Sequence, residues 1–76
     1  MQKRVIEYET SLDALIAITK RLSSYENRFN MSSEDFFDQY SKGKMKDDIE
    51  FVEWSNDYLH YLDIRINIEK KLKNVA

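Results

Sequence analysis

The chain contains no proline, and its single glycine is Gly43. These two residues punctuate hairpins, sandwiches and tight loops, whereas helices run for long stretches without them. The sequence therefore reads as all-α. Its 76 residues make one small domain, 1–76. The absence of cysteine excludes disulfides, zinc-thiolate sites and cysteine nucleophiles, and fits a reducing cytoplasm. No apolar run approaches the roughly 18 residues of a membrane helix. Nor does Met1-Gln2-Lys3-Arg4 lead into an unbroken hydrophobic segment of the signal-peptide kind. A cytoplasmic protein without membrane association is the expectation.

Hydrophobic periodicity predicts two long helices. With Val5 as heptad position a, Val5, Tyr8, Leu12, Leu15, Thr19, Leu22, Glu26 and Phe29 fall at successive a and d positions. Ile16, Ile18 and Tyr25 widen that stripe, which predicts a helix over about 3–29, roughly 40 Å long. A second long helix is predicted over about 48–73, with Asp47 as N-cap and Glu50 three residues on. Its apolar residues, Phe51, Val52, Trp54, Tyr58, Leu59, Tyr61, Leu62, Ile66, Ile68 and Leu72, spread over an arc of about 200°. Glu53, Asn56, Asp57, His60, Asp63, Asn67 and Lys71 mark the wet side.

Between them lies a local stop and restart. Ser32 as N-cap, with Ser33, Glu34 and Asp35 in the first turn, predicts a short helix over about 33–41. Met31 and Phe36 stand at the hydrophobic-staple spacing. Gly43 supplies the left-handed residue that closes this helix. The architecture expected is an antiparallel hairpin of two long helices joined by the short one. Apolar arcs this wide leave surface uncovered in a two-helix monomer, so the hairpin is expected to dimerise into a helical bundle. Leu12, Leu15, Leu22, Leu59, Leu62 and Ile66 are the expected dimer interface.

The net charge of −2 is unevenly distributed. Residues 1–30 carry five basic and four acidic groups, residues 31–57 three and eight, and residues 58–76 four and two. An acidic centre does not fit a nucleic-acid footprint, and nucleic acid is not an expected partner. Glu34, Asp35, Asp38, Asp47, Asp48, Glu50 and Glu53 are explained mostly as helix N-terminal residues, without an EF-hand loop or Glu-x-x-His pair to make a metal site. His60, flanked by Asp57 and Asp63, has no nucleophile or oxyanion donor beside it. No enzymatic activity and no cofactor are expected. Arg65 projects into the apolar arc, where it either pairs across an interface or snorkels to water. The acidic, aromatic middle is the expected partner surface: Phe37, Tyr40, Trp54 and Tyr58, with Asp47, Asp48 and Glu53 for charge complementarity to a basic protein.

Met31-Ser32-Ser33-Glu34-Asp35-Phe36-Phe37, Gly43, Asp47-Asp48 and Phe51-Val52-Glu53-Trp54, with Tyr25 and Tyr58, resemble a pattern of small prokaryotic proteins. In it, Met-Ser-Ser-x-x-Phe leads through a glycine to Asp-Asp-x-x-Phe-x-Glu-Trp, and its bearers are similar to antitoxins of type II toxin–antitoxin pairs. The resemblance covers about half the chain. It implies a chaperone-like inhibitor that binds and masks a small toxin protein, and it supplies no catalytic residues. Many antitoxins also carry a DNA-binding module, but no ribbon-helix-helix strand or recognition helix is legible here. The alternative expectation is a structural or scaffold homodimer without a toxin.

Overall fold

Three helices and no strands make up the residues described by the computed structural model, 10–75: α1 (Ser11–Phe29), α2 (Ser33–Ser41) and α3 (Ile49–Val75). Expectations placed on residues 1–9, among them Val5 and Tyr8 in the heptad, lie outside the described residues. The first helix begins at Ser11, later than its periodicity predicts. Thr10, extended at φ −138°, accepts the Asp13 N–H with its side chain and so acts as N-cap. Asn30 closes α1 in the left-handed conformation at φ 55°, and the Met31 N–H reaches back to the Glu26 carbonyl at 3.2 Å.

The punctuation around α2 is the one the sequence predicts. Ser32 accepts the Asp35 N–H at 3.1 Å, and Met31 packs against the cluster that holds Phe36. The Ser33 N–H is satisfied from α1, by Glu26 Oε2 at 2.9 Å. At the far end Gly43, with φ 76°, donates to the Tyr40 carbonyl at 3.0 Å while Lys44 donates to that of Gln39 at 2.9 Å. Both bonds satisfy carbonyls that the helix end would orphan. The start of α3 is one residue off expectation. Asp48, not Asp47, caps it, with Oδ1 accepting the Glu50 N–H at 3.1 Å. Asp47 instead accepts from the Tyr40 hydroxyl at 3.3 Å.

Two ion pairs order α1 against α3. Arg21 pairs with Asp57, and Arg28, farther along α1, pairs with Glu50, nearer the start of α3. The core is aromatic and centred on Trp54, which is 0% exposed. Phe36 stacks on its ring at 3.9 Å and 4°, Tyr25 of α1 at 5.4 Å and Phe29 at 5.6 Å. The indole N–H donates to Ser33 Oγ at 2.9 Å, so all three helices meet on one side chain. Leu22 completes the buried cluster.

Several sequence expectations are corrected by this packing. The α1 seam is Ile18, Leu22, Tyr25 and Phe29; Leu12 and Thr19, on the other flank of the heptad stripe, are exposed. The buried flank carries the larger side chains, whereas Thr19 and Glu26 would bring polar atoms into the core. Ile64, outside the expected apolar arc of α3, is buried. Asp57, expected on the wet side, is also buried, because Arg21 neutralises it through two guanidinium bonds. Arg65 is exposed, lying 5.7 Å over the Tyr61 ring and 3.6 Å from Glu69 one turn on.

The exposure of Arg65 follows from the length of α2. Nine residues of helix cover only the turn-proximal half of the α1–α3 pair. Leu12, Ile16, Leu59, Ile66 and Leu72 stay exposed, from 48% at Ile16 to 65% at Leu72. At 100° per residue, Leu12, Ile16 and Thr19 of α1, and Leu62, Arg65 and Ile66 of α3, continue the flanks that α2 covers nearer the turns.

Candidate functional site

Trp54 divides the expected partner residues. Phe37 and Tyr58 come together at 5.2 Å, both half-buried, and Tyr58 continues to Tyr61 at 6.0 Å. Tyr40 and Asp47 are joined by their hydrogen bond, with Tyr40 leaning on Phe36 at 5.3 Å. Asp48 is occupied as the cap of α3. Glu53 lies on the other side of the core, where it shares a shallow concavity with Arg21, Tyr25, Asn56 and Asp57. Trp54 itself offers no surface, so its replacement tests the fold and not a binding face. Of the expected dimer residues, Leu22 is likewise core, Leu15 and Leu62 are half-buried, and Leu12, Leu59 and Ile66 are exposed.

A concavity of about 150 Å³, which no sequence pattern announces, opens where α2 begins. Thr19, Leu22 and Glu26 of α1, Ser33 and Glu34 of α2, and Tyr58 and Tyr61 of α3 line it. Glu26, a carboxylate at a heptad core position, accepts the Ser33 N–H and stands at this mouth. Farther along α3, Leu62, Arg65, Ile66 and Glu69 line a second, open depression on the uncovered flank. No group of three His, Cys, Asp or Glu residues able to hold a metal ion occurs among the described residues. His60 and Asp63 are exposed, and Asp57, which the catalytic alternative needs, faces Arg21. None of the described helices is long and apolar enough to cross a membrane.

Three tyrosines have hydroxyls raised above the ordinary value of 10.0, in each case chiefly by burial. Asp57 and Glu53 add to it at Tyr25, Asp47 at Tyr40, and Glu34 at Tyr58. The neutral phenol is thus favoured in the folded state, a contribution fully present below pH 10.0 and lost as pH rises through the folded values. Alkaline titration of tyrosinate absorbance is expected to lag in the folded protein and to normalise in urea, while stability falls above pH 10.0. Coincident titrations in the two states would contradict this environment.

No family model matches the chain, and neither a curated protein nor a solved structure does.

Proposed function

We propose that this chain is a non-enzymatic protein-binding module, acting in the cytoplasm of a prokaryote. In this reading α1 and α3 form an antiparallel hairpin that pairs with a second copy through its distal half, giving a helical bundle. The supporting observation is the exposure of Leu12, Ile16, Leu59, Ile66 and Leu72 beside half-buried Leu15 and Leu62. Small domains without disulfide or metal commonly cover such residues by association. The specific role proposed is that of an antitoxin that binds and neutralises a small toxin protein, following the resemblance of residues 25–62. Phe37, Tyr40, Asp47 and Tyr58 are then the residues nearest the partner.

Sedimentation over a range of concentrations tests the dimer. The wild type is expected to associate in the micromolar range and Ile66→Glu to stay monomeric with unchanged helicity, since a carboxylate there would be buried unpaired. A wild-type monomer at high micromolar concentration overturns the dimer. The antitoxin role is tested by expressing the neighbouring gene, which should arrest growth and be rescued by co-expression of this chain. One observation favours a scaffold dimer as the second reading: the motif residues Ser33, Phe36, Asp48 and Trp54 are consumed by caps and core. Dimerisation without growth arrest or rescue would decide for it.

A further inference from the structure

We propose that the concavity between α1, the start of α2 and α3 receives the guanidinium of an arginine side chain presented by a protein partner, which deepens the protein-binding reading on which it rests. The charge is one-sided. Glu26 and Glu34 reach the rim from two different helices, no Lys or Arg lines the space, and none of the four ion pairs among the described residues uses either carboxylate. Glu26 spends Oε2 on the Ser33 N–H, which holds its carboxylate at the mouth. Burial and then Glu34 raise the Tyr58 hydroxyl above its ordinary value, with Arg65 acting in the opposite sense.

The walls suit a flat cation better than a round one. The Tyr58 and Tyr61 rings stand 6.0 Å apart at 26°, and Leu22 gives an apolar floor. Aromatic faces attract cations, and guanidinium also stacks on them and bridges carboxylate oxygens with its fork of donors, whereas ammonium stays strongly hydrated. The Tyr61 ring already carries one guanidinium, that of Arg65 at 5.7 Å, which also hydrogen-bonds Tyr61 and pairs with Glu69 at 3.6 Å. A space of about 150 Å³ also fits. Cavities of that volume take a benzene-sized group, larger than a guanidinium.

The test is a two-dimensional NMR titration of the full chain with N-acetyl-arginine amide, using the isosteric but neutral citrulline amide and the lysine amide as controls. The arginine probe is expected to saturate with a dissociation constant of about 1–10 mM, typical of so small a ligand. Its shifts should concentrate at Thr19, Ser33, Glu34, Tyr58 and Tyr61. Glu34→Gln should weaken binding about tenfold, the scale of one hydrogen bond to a charged group, with the remaining resonances in place. Equal shifts from citrulline, equal or tighter binding of lysine, shifts scattered over the surface, or an unaltered constant in Glu34→Gln would each overturn the proposal. A failed titration of a chain that still dimerises removes the arginine site alone. Saturable uptake by a chain that neither dimerises nor rescues growth removes the dimer and antitoxin proposals and leaves the site standing.

Discussion

Replacing Trp54 with alanine is expected to lower the free energy of unfolding by about 4 kcal/mol, the middle of the range for losing a buried aromatic side chain. Domains of this kind hold roughly 5–15 kcal/mol in total, so the variant sits near or below the limit of folding. The size of the effect follows from position. The ring is fully buried, stacks with Phe36 of α2 and with Tyr25 and Phe29 of α1, and satisfies the buried Ser33 hydroxyl oxygen. Trp54→Phe keeps an aromatic surface for Phe36 but not the N–H, and should fall between wild type and alanine. Urea denaturation followed by far-ultraviolet circular dichroism measures the series. A loss below about 1 kcal/mol in Trp54→Ala, the centre of the range for ordinary substitutions, would mean that the indole does not join the helices.

Arg21→Ala costs more than Asp57→Ala, although the two remove the same ion pair. The Asp57 side chain is 10% exposed and that of Arg21 58%. Removing the arginine strands a buried carboxylate, whereas removing the carboxylate leaves a guanidinium that is already largely in water. About 2 kcal/mol is expected for Arg21→Ala and about 1 kcal/mol for Asp57→Ala, hydrogen bonds to charged groups being worth roughly 1.5–3 kcal/mol when a buried partner is left behind. The double variant should lose less than the sum of the two single variants, a non-additivity characteristic of groups in contact. Equal single losses that simply add would show that the pair is a solvated surface contact of little energetic weight.

The elements whose signals are local were readable from the chain alone. Ser32, Asp35 and Gly43 act within a few residues of themselves, and they bound α2 as their types demand. Distance in sequence is what hid the rest. Asp57 sits among polar neighbours on a helical projection, and residues of α1 distant in sequence, Arg21 and Tyr25, make its burial possible. Trp54 and Tyr58 share one apolar arc, but α2 presses Phe36 flat onto the first while Phe37 leaves the second half-open. The heptad stripe of α1 has two possible flanks, and contact with α3 selects Ile18 and Tyr25 over Leu12 and Thr19. The concavity at the start of α2 is assembled from three helices, so none of its parts stood out. The nearest hint was Glu26, a carboxylate at an apolar position.

Trp54 is the only tryptophan in the chain. Its indole is shielded from water and overlaid by a phenylalanine ring, so the protein carries an intrinsic optical reporter at the junction of its three helices. The emission should be blue-shifted in the folded state and should move red only when that junction opens. The distal half of the α1–α3 pair, remote from the indole, can fray or change partners without altering the signal. Fluorescence and amide hydrogen exchange would therefore report two different events, the opening of the aromatic joint and the loosening of the uncovered helix ends.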